Sequence, residues 1–159
     1  MIKLIIFFLI VLVNYKYAFG RNIGETEITT EDGIEVFQEE KYYLLKKNVE
    51  IISDEFELNG DLVKIHFEKD LYDIQELFAS TDVNFVSSAH NIKGKGEALT
   101  FNIKNEQIIV TGMESELFLE TTEMFSDGNI TVDNIAGSFS IKGPNSKLIT
   151  DEIFITGYE

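Results

Sequence analysis

The sequence predicts an all-β chain whose antiparallel strands pair into two facing sheets. Three observations predict it. Apolar and polar residues alternate with period two along most of the chain, which marks strands with one buried and one solvated face. Pairs such as Asp32-Gly33, Asn59-Gly60 and Asp127-Gly128, and the run Gly143-Pro144-Asn145, read as turns between the alternating segments. A spacing of 34 residues recurs: Gly60, Gly94 and Gly128 stand in step, as do Val49, Val83 and Leu117, and Ile51, Phe85 and Leu119.

The elements follow in chain order. Met1-Ile2-Lys3 is a short positive start, and Leu4 to Val13 is an unbroken apolar run. Asn14, Tyr15 and Lys16 interrupt it, and Ala18 and Gly20 set small residues before Arg21. That is the layout of a secretory signal peptide over residues 1–20, leaving 21–159 as one domain. The competing reading is an uncleaved anchor, but a span needs about 20 apolar residues and Lys16 arrives early for one. Residues 35–47 are ambiguous, because Tyr42-Tyr43-Leu44-Leu45 also fits a helical turn. Beyond them, Val63, Ile65 and Phe67 alternate with Lys64 and His66, and Leu99, Phe101 and Ile103 with Thr100 and Asn102. Gly94-Lys95-Gly96 reads as a hairpin turn. Ile130 and Val132, then Phe139 and Ile141, then Ile153 and Ile155 complete the series. A 34-residue period also suggests tetratricopeptide helices. Period two and the missing Trp, Leu-Gly and Tyr pattern exclude them. A unit of that length holds about four short strands and must stack on its neighbours to bury its apolar face.

Composition narrows function. The chain has 159 residues and a net charge of −15. Without Lys3 and Lys16 the remainder carries 11 basic and 28 acidic side chains, or −17. Such a surface repels phosphate backbones and anionic membranes, so nucleic acid is not an expected partner. With no cysteine there are no disulfides, thiolate metal sites or cysteine nucleophiles. His66 and His90 are the only histidines, and a zinc site would need carboxylates brought together by the fold alone; strand or surface histidines are the default. No Gly-x-Ser-x-Gly elbow and no phosphate loop are present. Asp127-Gly128-Asn129 begins like a calcium loop but lacks the ligand series and reads as a turn. Carboxylates are numerous enough for some pair to reach hydrolase spacing by arithmetic alone. No catalytic residue, cofactor or metal is expected.

Several runs together carry a family resemblance. Gly33-Ile34-Glu35-Val36 leads into Lys47-Asn48-Val49-Glu50-Ile51. Phe56-x-Leu58-x-Gly60-Asp61-x-Val63 follows, then Ile74 to Ala79 before Asp82-Val83, Gly94-x-Gly96-Glu97-Ala98-Leu99-x-Phe101, and Ile108 to Gly112. This rhythm resembles the LptA/OstA-like family, the periplasmic bridge of lipopolysaccharide transport, over roughly Ile28 to Gly157. The family's usual Gly-Asn-Val before a strand is replaced here by Lys47-Asn48-Val49 and Thr81-Asp82-Val83. The resemblance implies an antiparallel β-jellyroll, or β-taco: two sheets forming a V-shaped apolar trough that holds the acyl chains of lipopolysaccharide. It also implies head-to-tail self-association, and partners of the same fold in inner-membrane and outer-membrane complexes.

The residues reach a compatible place by themselves. Two apolar sheet faces can close as a sandwich or stand slightly parted. A parted pair offers a groove in which each buried acyl CH₂ contributes about 0.8 kcal/mol. The candidate trough residues are Ile51, Phe56, Leu58, Val63, Ile65, Phe85, Leu99, Phe101, Leu117, Leu119, Val132, Phe139 and Ile141. A closed, dry core wants the same residues. Unpaired strands at each end favour strand addition, with Ile23–Thr30 and Glu152–Thr156 as candidate edges. The acidic surface is most simply a solubility device, and an anionic head group would hang outside the trough or be bridged by divalent cations. The expected function is a periplasmic, non-enzymatic lipid bridge. The rivals are an inner-membrane-anchored accessory subunit of LptC-like kind, a closed β-barrel carrier for a small ligand, and an acidic secreted hydrolase.

Overall fold

The alternating segments form thirteen strands, and no helix occurs among the described residues. The computed structural model describes residues 23–70 and 73–151, and the backbone of 154–156. The expected leader and its cleavage point lie outside the described residues. The strands are β1 (Glu27–Thr29), β2 (Ile34–Phe37), β3 (Tyr42–Ile52), β4 (Phe56–Phe67), β5 (Ile74–Ser87), β6 (Ile92–Asn102) and β7 (Gln107–Thr111). They continue with β8 (Ser115–Leu119), β9 (Thr122–Ser126), β10 (Asn129–Asp133), β11 (Ser138–Lys142), β12 (Lys147–Ile149) and β13 (Phe154–Thr156). Every pairing is antiparallel.

All thirteen belong to one continuous sheet, folded along a line of corners into two leaves. The two expected sheets are these leaves. The long strands β3 to β6 cross the line and serve both. One leaf runs β2-β3-β4-β5-β6-β7-β10-β11, and the other β1-β3-β4-β5-β6-β8-β9-β12-β13. At the corners the register slips between Lys46 and Val49, Asn59 and Leu62, and Ser80 and Val83. The cause is local. Lys47 and Asn48 have φ of 68° and 47°, and Thr81 and Asp82 have 67° and 51°. Two successive left-handed residues turn the strand without breaking its ladder.

Polar side chains close the line of corners. Near the chain start, Asn48 donates to Glu31 Oε1 at 2.6 Å and Lys47 pairs with Glu31 at 3.2 Å. The Asn48 amide and then the Lys47 ammonium hold the Glu31 carboxyl below the usual carboxylate range. Near the chain end, buried Ser126 donates to the Lys142 carbonyl at 2.8 Å and accepts from the Gly128 N–H at 3.0 Å. Asp127 accepts from the Asn145 amide and the Glu114 N–H, which lower its carboxyl.

Two sequence readings change. Asn59-Gly60 and Gly94-Lys95-Gly96 are not hairpin turns; they lie inside β4 and β6, which continue on both sides of them. Gly96, not Gly94, meets Val83 at the corner. A Cβ on Gly96 would stand 2.7 Å from Val110 Cγ1. The corner repeat therefore runs Gly60, Gly96, Gly128, and the 34-residue step slips by two in its middle copy. The ambiguous Tyr42–Leu45 is strand: Leu45 is fully buried against Val63, while Tyr42 stacks on Phe37 on the opposite face.

The sheet does not close on itself. Among the described residues β1 pairs only with β3, and β13 only with β12. A closed barrel is therefore ruled out. β1, within the expected edge Ile23–Thr30, and β13, the described part of the expected edge Glu152–Thr156, are the edges of one leaf, while residues 152 and 153 lie outside the described residues; β2 and β11 are the edges of the other leaf.

Candidate functional site

Strand pairing turns alternation into rows of apolar side chains along the V. In one leaf the inner row is Leu45, Val63, Ala79, Leu99, Val110, Ile130 and Ile141, each opposite the next across the ladder. In the other it is Ile51, Leu58, Phe85, Gly94, Leu117, Met124 and Leu148. At about 4.8 Å per strand such a row extends roughly 30 Å. The empty side of Gly94 is filled from across the V and from its own ladder partner: a Cβ there would lie 3.3 Å from Leu99 Cδ1 and 3.6 Å from Val110 Cγ2 on the facing leaf, and 3.4 Å from Cδ1 of its neighbour Leu117.

Next to the corners these rows close on each other. Leu58, Val63 and Leu117 have 0% exposure, and Ile51, Ile65, Phe85 and Leu99 have 1%. Toward the open side the leaves part. A cavity of about 650 Å³ lies there, within the range of about 300–1,000 Å³ typical of ligand sites. Phe101, Ile108 and Val132 line it from one leaf; Phe56, Phe85, Ile92 and Leu119 line it from the other. The rings of Phe85 and Phe101 meet across the V at 5.6 Å, and Phe56 stands 5.9 Å from Phe85. These rings floor the cavity.

The thirteen candidates thus separate by depth. Phe56, Phe85, Phe101, Leu119 and Val132 reach the cavity. Ile51, Leu58, Val63, Ile65, Leu99 and Leu117 are buried beneath or beside it. Ile141 is half-buried on edge strand β11. Phe139 shares the inner parity, opposite Val132, yet is 49% exposed. The facing leaf is short there, since β12 has three residues. Val36, at the other end of the same leaf, is 47% exposed for a like reason: β2 is an edge.

Sequence reasoning missed Ile92 and Ile108, and the polar rim: Glu55, His90, Asn91, Glu106, Glu120 and Asn134. Parity was the available signal for the two isoleucines, which share a face with Gly94 and Val110. The rim comes from hairpin turns, and only their spatial convergence marks it. Ser87 donates to the Glu55 carbonyl at 3.1 Å, and the Glu120 N–H donates to the Asn91 carbonyl at 3.2 Å, so neighbouring turns are tied together. The cavity offers apolar walls and a polar lip.

The architecture has a solved counterpart. The chain is similar to the crystal structure of LptH, the LptA-homologous periplasmic component of the conserved lipopolysaccharide transport device from Pseudomonas aeruginosa. The TM-score is 0.64 at 9% identity, over 80% of this chain and 96% of that one. The fold is LptA-like. No protein-family model and no curated protein matches the sequence. What the two chains share is therefore the antiparallel β-jellyroll itself, kept while nearly all side chains differ.

Proposed function

We propose that this protein is a non-enzymatic lipopolysaccharide-binding component of an export pathway, acting in the periplasm. It shields acyl chains in the V and hands them along a chain of similar folds between inner-membrane and outer-membrane complexes. One observation carries this reading: the leaves part into an apolar cavity floored by aromatic rings, in a fold shared with a lipopolysaccharide-transport component. Burial of acyl CH₂ groups at about 0.8 kcal/mol each supplies the affinity without a catalytic group. The edges β1 and β2 at one end and β11 and β13 at the other suit head-to-tail joining by strand addition.

In-cell photocrosslinking tests the proposal. A photoreactive residue at Phe101 faces the cavity, while one at Thr100 faces the outside of the same strand. The expected result is a lipopolysaccharide adduct at Phe101 and at Leu119, and none at Thr100. Folded protein with no adduct at either inner position refutes the transport role.

A further inference from the structure

The two leaves end differently, and the difference governs how a second copy can join. β1 and β2 both lie along β3, one on each side of the corner, and so make one bent strand. β11 and β12 make another, with β11 along β10 and β12 along β9. Their corner is tied to the next one, where the Asp127 N–H donates to the Pro144 carbonyl at 3.0 Å. Among the described residues β2 pairs only with β3, and β11 only with β10, so their leaf is open at both ends. Its inner rows stop there in exposed apolar side chains. One row ends in Val36 and Phe139, 47% and 49% exposed; the other ends in Ile34, 50% exposed, and half-buried Ile141. Strand direction alternates across this leaf, so β2 of a translated second copy runs antiparallel to β11. One register sets Ile34 of the second copy opposite Ile141 and its Val36 opposite Phe139. Both inner rows then continue across the joint, and their exposed ends are covered.

In the other leaf that place is taken. β1 of the second copy precedes its β2 on the same bent strand and would lie along β12, where β13 lies. β1 reads Glu27-Ile28-Thr29 and β13 reads Phe154-Ile155-Thr156. Ile155 is opposite Leu148 and Thr156 opposite Lys147. Ile28 holds the same inner row opposite Ile51. Continuing that row through the joint therefore sets Ile28 and Thr29 of the second copy at the positions of Ile155 and Thr156.

We propose that β13 is an internal substitute for β1 of a second copy: it covers the β12 edge until a joining copy displaces it. The joint is then β2 on β11 and β1 on β12. The inference rests on the head-to-tail reading above and specifies its joint. β13 is suited to displacement, because it has three residues and, among the described residues, one neighbour. Short edge strands with few contacts are the first to open. Joining requires β13 to be released, so the apparent affinity between copies falls with the fraction released. Chain growth is thereby held back at low concentration.

The test measures polymer size against protein concentration by light scattering, on full-length variants. In F154P/I155P, one of the two prolines removes an N–H that faces β12, because successive N–H groups in a strand point to opposite sides. This variant is expected to polymerise at about tenfold lower concentration than the parent. K147C/T156C places cysteines at opposed positions in a chain that has no other, and oxidation ties β13 to β12. The oxidised form is expected to need about tenfold more protein than its reduced form. Val36→Lys, added to F154P/I155P, puts a charge on the joining edge and should return the chain to a monomer. A proline variant that polymerises no more readily than the parent overturns the inference. So does an oxidised form that polymerises as readily as the reduced one, a comparison within one chain that holds even if the prolines disturb folding. Polymers indifferent to Val36→Lys would place the joint elsewhere, and a chain that stays single in every variant takes no second copy on this edge; either result overturns it. The lipopolysaccharide adduct at Phe101 is read in the same variants. An adduct without the expected shifts sinks the β13 assignment alone; the shifts without an adduct sink the lipid role and leave the joint.

Discussion

Replacing Gly96 with alanine tests the corner where the two leaves meet. The new Cβ would stand 2.7 Å from Val110 Cγ1, 3.1 Å from the Thr111 carbonyl oxygen and 3.3 Å from Ser115 Oγ. None of the three can yield easily. Val110 is fully buried, Thr111 O is backbone, and Ser115 Oγ is fixed by a 2.8 Å bond to the Gly112 carbonyl. Overpacking of this kind costs about 1–3 kcal/mol. Loss of glycine's freedom in the unfolded chain returns about 0.4–1 kcal/mol. The expected net loss is about 1–2 kcal/mol, or roughly 3–8 °C in Tm for a domain of this size. Gly94→Ala is the control two residues away. The atoms nearest its Cβ are the Cδ1 ends of Leu99 and Leu117 and Val110 Cγ2, at 3.3–3.6 Å. The leucine ends can rotate, so the expected change is within about 0.5 kcal/mol after the same entropic return. Urea unfolding of the two variants beside the parent protein decides it. If Gly94→Ala is the more damaging, the corner has been placed at the wrong glycine.

Two further predictions concern depth and charge. Leu117→Ala empties a fully buried site and should cost about 2–5 kcal/mol. Phe101→Ala, at a half-buried ring, should cost about 2 kcal/mol yet weaken an acyl-lipid probe about tenfold. Equal loss of stability in both variants with unchanged lipid binding would make Phe101 a core residue and nothing more. Asp127 reports on acid stability. Its folded carboxyl is held low by the Asn145 amide and the Glu114 N–H, so its contribution is complete above the unfolded value of about 3.9 and is lost as pH falls through the folded value. Urea midpoints of Asp127→Asn and the parent should therefore differ at pH 7 and converge on going from pH 4 downward. A difference constant with pH would show that the charge is not what these donors recognise.

The sequence determined the strands and their inward faces by itself, because inside and outside alternate residue by residue in an extended chain. Leu58, Val63, Ile65, Phe85, Leu99 and Leu117 were all legible as interior on that ground. Alternation also exposed the repeat, since each pair of bent strands needs about one period of chain. Tertiary structure decided the rest. Glycine serves equally in a turn, at a corner or opposite a large side chain, so only the pairing of Gly96 with Val83 distinguishes it from Gly94. Depth along an inner row was likewise invisible, because Leu117 and Leu119 share parity while only Leu119 reaches the cavity. Parity assigns a side chain to a face; how far the leaves stand apart at that point depends on the corners. The rim was the least legible feature of all. Glu55, Glu106 and Glu120 lie in separate hairpin turns, and only the folding of one sheet into two leaves brings them around the same opening.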